Sequence, residues 1–315
     1  MAAKPTTVRV EGREVALTNL DKVLYPEVGF TKAEVIDYYA RIAPTMVRHT
    51  EGRCMTLRRW PDGVDGPDFF EKNCPKHRPD WVRTARGPGR SRGEVHYCLL
   101  DEPAAFVWTA NLAALELHAP LARADALDTP LACVFDLDPG PGTGVADCAR
   151  LALEIRELLD GAGLQCRAKT SGSKGLQVYV PLNTTGDEAH TYEETSRFAL
   201  AVGSLLEQRS PAAVTTTMAR SERTGKVFVD WSQNAFHKTT VCVYSLRARP
   251  NPTVSTPLDW DEVAAGAEGE HTLVFVAAEV LERVADRGDL FADSLELHQR
   301  LPSIGEEASK APGNS

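Results

Sequence analysis

The run Leu131-Ala-Cys-Val-Phe-Asp-Leu-Asp138 constrains the fold more than any other stretch of this chain. It is β-branched and aromatic, too short for a helix of ordinary length, and stopped by Pro139-Gly140, so it reads as a central strand. Side chains two apart on a strand share a face, so Asp136 and Asp138 converge at its end. Two carboxylates beside an apolar strand repel each other and lose solvation unless a cation sits with them. A solvated strand end before a turn satisfies the same pattern.

Helical and strand signals are interleaved around that run. Thr31 and Glu34 form a capping box ahead of Val35, Ile36, Tyr38, Tyr39 and Ile42, which predicts a helix over about 32–47. Residues 55–58 and 95–100 read as strands, and 104–117 as one buried, Ala-rich helix. Amphipathic helices are expected at 147–159, 191–208 and 276–287, and strands at 166–169, 176–180 and 227–230. Residues 86–93 read as a basic Gly-rich loop, the approach to the last helix as a loop rich in Glu and Gly, and 303–315 as a disordered end. Gly140-Pro-Gly-Thr-Gly144 is expected to be a turn, because Pro141 and the spacing spoil a dinucleotide fingerprint. The interleaving favours a mixed sheet covered by helices.

Composition narrows the partners less than the net charge of −9 suggests. Residues 258–315 hold 13 acidic side chains against 4 basic ones, so the rest of the chain is neutral and has room for a basic groove. Neither a membrane span nor a signal peptide is visible, which predicts a cytosolic protein. Seven scattered cysteines without a Cys-x-x-Cys pair predict buried thiols rather than a disulfide framework. Cys74, His77, His96 and Cys98 could close a tetrahedral zinc site, and scattered residues of these types explain them as well.

A third acid, Asp230, ends the apolar run Val227-Phe-Val229. With Asp136 and Asp138 it makes an oxygen-rich set suited to two Mg²⁺ or Mn²⁺ ions and in-line phosphoryl transfer; a strand-terminal cap is its other reading. Between the acids, Thr170-Ser-Gly-Ser-Lys-Gly175 joins two strands with small hydroxyl residues, glycines and a lysine that suit a phosphate. It lacks the P-loop spacing and precedes a strand, and a structural hairpin has the same composition.

Thr18-Asn-Leu-Asp-Lys-Val-Leu-Tyr-Pro26, Phe69-Phe-Glu-Lys72, Phe135-Asp-Leu-Asp-Pro139, Thr170-Ser-Gly-Ser-Lys-Gly-Leu176, Lys226-Val-Phe-Val-Asp-Trp-Ser-Gln-Asn234 and Tyr244-Ser-Leu-Arg247 occur in this order. Over roughly residues 15–300 the chain thus resembles the polymerase domain of bacterial ligase D, an archaeo-eukaryotic primase-polymerase that serves non-homologous end joining. The resemblance implies that α+β fold, with mixed or antiparallel central sheets flanked by helices, in a stand-alone domain over 1–300. Residues 15–125 would bind DNA and its 5′-phosphate, 126–257 would form the catalytic sheet, and 258–300 an acidic helical part. It further implies template-directed addition of nucleotides, ribonucleotides preferred, to a primer 3′-hydroxyl at gaps or break ends with 3′ overhangs.

Carried over by position, Asp136, Asp138 and Asp230 match the metal-binding catalytic carboxylates. Ser171, Ser173, Lys174 and Arg247 match the nucleotide-binding positions; Gln177 joins them as a donor to phosphate, and His118, after the buried helix, reads as reaching the nucleotide or, nearly as well, as a core histidine. Asn19, Lys22 and Lys32 match the pocket for the 5′-phosphate across a gap; from their own chemistry Arg58, Arg59, Phe70 and Lys72 read as the template side, with one ring of the Phe69-Phe70 pair expected buried and the other exposed. The family usually has His where this chain has Gln177, which removes a titratable cation and admits a catalytically weak or inactive DNA-end-binding module. A primase that starts chains without a primer and an unrelated sugar-nucleotide transferase are the other readings. A Ku-like protein and a separate ligase are the partners that the family implies, in the bacterial cytoplasm at the nucleoid and with no membrane.

Overall fold

The computed structural model describes residues 6–87 and 95–303. The expected basic loop therefore lies mostly, and the expected disordered end almost wholly, outside the described residues. The chain divides into two compact units. One takes the chain through Ala126, together with Thr239–Thr256 and Phe275–Asp289; the other takes Leu127–Lys238, Pro257–Val274 and the chain from Leu290 onward.

The first unit opens with hairpins β1 (Thr6–Val10) with β2 (Arg13–Leu17) and β3 (Val23–Tyr25) with β4 (Phe30–Thr31), then helix α1 (Lys32–Thr50). The capping box is present: the Thr31 hydroxyl accepts from the Glu34 amide while the Glu34 carboxylate accepts from the Thr31 amide. The helix buries Val35, Tyr38, Tyr39, Ile42 and Met46 along one face, at the spacing that predicted it. Strands β5 (Thr56–Arg59), β6 (Phe69–Glu71), β7 (Thr84–Gly87) and β8 (Val95–Cys98) follow, then α2 (Pro103–Asn111) and β9 (Ala114–Ala119).

Helix α2 corrects the single helix expected over 104–117. It stops at Asn111, whose side chain bonds the backbone of Ala16 and Thr18, and the chain turns through Ala113 at a φ of 58°. Leu115-Glu-Leu-His118 then alternates as a strand, a period-2 signal hidden behind the Ala-rich helix.

The second unit is built on a six-stranded sheet. Its elements in chain order are β10 (Ala132–Pro139), α3 (Val145–Gly161), β11 (Arg167–Thr170), β12 (Leu176–Pro181), α4 (Tyr192–Arg209), β13 (Val214–Thr215) and β14 (Val227–Asp230). After β15 (Thr240–Val241) in the first unit come β16 (Pro257–Leu258) and α5 (Trp260–Glu268) in the second, and α6 (Ala277–Arg287) in the first. The large sheet runs β13-β14-β10-β12-β11-β16, and only the β13–β14 pair is parallel. In the first unit β15-β9-β5-β6 form an antiparallel sheet. Phe135, Leu137, Val178, Val180 and Phe228 of the large sheet are fully buried, as are Ile155 and Ala199 of α3 and α4. The α+β class with mixed and antiparallel sheets is as expected. Helix α5 corrects the loop expected before the last helix: Asp259 and Glu262 make a capping box and Gly269, at a φ of 82°, ends it.

The strand that carries Asp136 and Asp138 is held on both edges. Along one it pairs with β12 from Ala132 to Leu137, and along the other with β14 from Asp136 to Pro139. Upstream of β14's reach a single side chain replaces the missing strand: the Asn234 carboxamide accepts from the Val134 amide at 2.8 Å and donates to its carbonyl at 2.7 Å. Asn234 is fully buried, so this two-point bond satisfies backbone groups that would otherwise be orphaned. Glycines bring the loops in: a Cβ on Gly175 would lie 2.0 Å from the Leu137 carbonyl oxygen, and one on Gly140 1.8 Å from that of Arg223.

Candidate active site

Antiparallel register places Asp230 opposite Asp136, Asp136 opposite Gln177, and Gln177 opposite Lys169. Residues paired across strands share a face, so these four side chains form one row across β14, β10, β12 and β11, with Asp138 two residues along from Asp136. Asp136, Asp138 and Asp230 each offer a carboxylate oxygen, all within 4.8 Å of one another. Asp230 also takes the capping role read from the sequence: its Oδ1 accepts from the Ser232 amide at 3.0 Å and caps the following turn.

Electrostatics favour a cation here. Burial, then Asp138 and, more weakly, Asp230, push the Asp136 carboxyl up to about 7, although the Gln177 amide donates to its Oδ1 at 3.0 Å. An acid whose ionisation is disfavoured by burial and two neighbouring carboxylates, in an all-oxygen set, fits a hard divalent ion. Lys169 is 1% exposed, at the far end of the row, and its positive charge acts in the opposite sense on Asp136. Sequence reasoning missed it, since a lysine ending a short strand reads as solvated; only the register with Gln177 gives it away.

The Thr170–Gly175 turn joins β11 to β12 beside that row. The Ser171 hydroxyl accepts from the amides of Ser173 and Gly175 at 3.2 and 3.1 Å, so it organises the turn, and Lys174 is exposed at its tip.

The other predicted residues lie in the first unit, in two groups. Asn19, at a φ of 53°, bends the chain so that the Lys22 amide bonds the Asn19 carbonyl at 3.1 Å. Lys32 opens α1 and donates to the Thr18 carbonyl at 2.7 Å; burial, Lys22 and then Arg59 lower its ammonium to about 8. Lys22 also pairs with Asp62 at 2.8 Å. Two lysines and an amide thus share one corner, chemistry suited to a phosphate dianion.

The second group lies on the β5–β6–β9 sheet, the Arg58 and Phe70 pair on one face and the Arg59 and Phe69 pair on the other. Phe70 is 54% exposed and Phe69 44%, both on β6, which corrects the expectation that one ring would be buried. The Arg58 guanidinium sits 4.9 Å from the Phe70 ring, and His118 meets that ring edge-on at 5.7 Å. Arg59 lies over Phe69 and pairs with Glu71 at 2.7 Å; Lys72 follows the strand half-buried. Arg58, His118 and Arg247 all contact Glu116, a residue that sequence reasoning passed over because it fell inside the misread helix.

The zinc reading does not hold. Cys74 and Cys98 are joined by a disulfide, which uses both sulfurs and leaves no thiolate for a metal. This one disulfide was not expected, while the five other cysteines are free and buried, as most were expected to be. The bond ties the segment after β6 to β8, where the Cys74 amide also bonds the His96 carbonyl at 2.6 Å. His77 and His96 are exposed.

Residues 31–291 match the family described as LigD, primase-polymerase domain. The multifunctional non-homologous end joining DNA repair protein LigD of Mycobacterium tuberculosis is 43% identical over 95% of this chain, which spans 40% of that protein. The bifunctional LigD of Bacillus subtilis is 30% identical over 89% of the chain and 44% of its own length. Among solved structures, the polymerase domain from Mycobacterium tuberculosis ligase D in complex with DNA superposes with a TM-score of 0.82 at 42% identity, covering 90% of this chain and 99% of that one.

Proposed function

The chain belongs to the LigD primase-polymerase domain family, and on that premise we propose that it extends a primer 3′-hydroxyl across short gaps and broken DNA ends. As such a domain it is a nucleotidyltransferase. The observation that carries the reading is the acid trio, brought together from two neighbouring strands of one sheet. Two Mn²⁺ or Mg²⁺ ions are assigned to Asp136, Asp138 and Asp230; when bound, they supply charge neutralisation for the attacking hydroxyl and the triphosphate.

The protein's own groups bind and orient. Ser171 shapes the turn whose Ser173 and Lys174 are assigned to the nucleotide phosphates, and Gln177 holds Asp136 by its amide. Arg247 and His118 are assigned to the incoming nucleotide, Arg58, Arg59, Phe70 and Lys72 to the template, and Asn19, Lys22 and Lys32 to the downstream 5′-phosphate. Catalysis of this kind is positioning and charge stabilisation with little covalent chemistry from the protein. Residues 15–125 are assigned to DNA and its 5′-phosphate, 126–257 to the catalytic sheet, and 258–300 to an acidic helical part. Ribonucleotides are the favoured substrates, with a Ku-like protein and a separate ligase as partners at the bacterial nucleoid. No helix among the described residues is long and apolar enough to cross a membrane.

The test is gap filling on DNA with and without the downstream 5′-phosphate, using Mn²⁺ and labelled ribonucleotides. Extension that Asp136→Ala abolishes while DNA binding survives is the expected result. Wild-type-like synthesis by Asp136→Ala would falsify the assignment of the trio. DNA binding without any extension by the wild type would identify the non-catalytic end-binding module that Gln177 admits.

A further inference from the structure

Glu116 is an acid within a basic cluster. It lies on β9, 1% exposed, and four donors reach it. Its Oε1 accepts from Arg247 Nε at 3.0 Å and from the Ala248 amide at 3.1 Å, while its Oε2 contacts His118 Nε2 at 2.9 Å and Arg58 Nη1 at 3.4 Å. Burial alone would raise this carboxyl, but the His118 hydrogen bond and the Arg247 charge reverse the effect and hold it well below the usual carboxylate range. It therefore stays anionic at any working pH.

The backbone next to Arg247 is fixed just as tightly. Tyr25 donates to the Arg247 carbonyl at 3.1 Å, Tyr38 to the Tyr244 carbonyl at 2.7 Å, and the Leu246 amide donates to the Tyr39 hydroxyl at 3.1 Å. The Ser245 hydroxyl accepts from the Leu117 amide at 2.9 Å, tying the segment to the strand that carries Glu116. Main chain and side chain of Arg247 are thus set by separate contacts within one unit.

A buried negative charge opposes a phosphate ligand, so affinity does not account for it. What the geometry supplies is orientation: the Nε of Arg247 and the next amide are both taken by one oxygen, which fixes the plane of the guanidinium. We propose that Glu116 is a positioning residue for the incoming nucleotide, holding Arg247 in one orientation and keeping His118 and Arg58 gathered beside it. The inference rests on the assignment of Arg247 to the triphosphate.

A double-mutant cycle on the full chain tests it, with nucleotide KM and kcat measured separately for wild type, Glu116→Gln, Arg247→Ala and the pair. Glutamine keeps the volume and an oxygen acceptor but removes the charge. We expect Glu116→Gln to raise the nucleotide KM about tenfold, with affinity for gapped DNA within about twofold of wild type, and the pair to be no worse than Arg247→Ala alone. If Arg247→Ala impairs nucleotide use and Glu116→Gln either has no effect or adds its full factor on top, Glu116 does not act through Arg247 and the inference fails. If Arg247→Ala leaves the nucleotide KM unchanged, the role of Arg247 falls, and the inference with it. Should Glu116→Gln not fold, Glu116→Asp takes its place in the cycle, with the same non-additivity expected.

Discussion

Replacing Asp136 by Asn separates the cost of the acid pocket from its use. In the folded protein without metal the carboxyl is pushed from an ordinary 3.8 up to about 7, first by burial and then by Asp138. A raised folded value means that the native state holds its proton where the unfolded chain has released it. Stability from this group is therefore present below about pH 4 and is lost as pH rises towards 7. Ionising it costs the fold about 4 kcal/mol at most, and about half of that for a side chain still partly in water. Asparagine cannot ionise and keeps an oxygen for the Gln177 amide. In chelator at pH 8, Asp136→Asn should thus melt about 4 °C above wild type, and the gain should vanish near pH 4. Added Mn²⁺ should reverse the ranking, since saturation at about a hundred times the dissociation constant stabilises the wild type by about 3 kcal/mol. Thermal melts across pH, with and without Mn²⁺, read both effects. A variant that melts lower in chelator at pH 8, or that responds to Mn²⁺ as the wild type does, would mean that the Asp136 charge is neither costly to the fold nor needed for the ion.

Asn234→Ala should cost about 2–4 kcal/mol in urea unfolding, because two buried backbone groups of Val134 lose their partner; a loss below about 1 kcal/mol would mean that water replaces the amide. Phe70→Ala should weaken templated extension by about 1–3 kcal/mol, the worth of a stacked base, with a smaller effect from Phe69→Ala; equal effects would speak against a specific stacking ring. Cys74→Ala should lower stability by about 3 kcal/mol in oxidising buffer, as expected for a bond between residues 24 apart, and dithiothreitol should then affect the wild type alone. A reductant-sensitive variant would point to another disulfide.

Strand β10 and its acids were legible because they combine two strong local signals, an apolar run and a two-residue carboxylate spacing that the pleat turns into a shared face. Helices α1, α3, α4 and α6 were legible from caps and apolar periodicity. What escaped depends on partners distant in sequence. Glu116 acquires its meaning only when Arg247, over a hundred residues on, folds against it. Lys169 acquires its own from its register with Gln177. The α2–β9 boundary was missed because alanines favour helix until Ala113, and the alternation after it is only six residues long. The Cys74–Cys98 bond had no signature in spacing, since it joins the segment after one strand to the end of a hairpin.

The row formed by Asp230, Asp136, Gln177 and Lys169 lies on hydrogen-bonded strands rather than on hinged segments. Such a floor is stiff, so its charge gradient cannot be retuned by loop rearrangement. It changes only by exchanging a side chain at a fixed lattice point. Position 177, between an acid and an ammonium, is the point where one exchange alters the balance without moving the backbone.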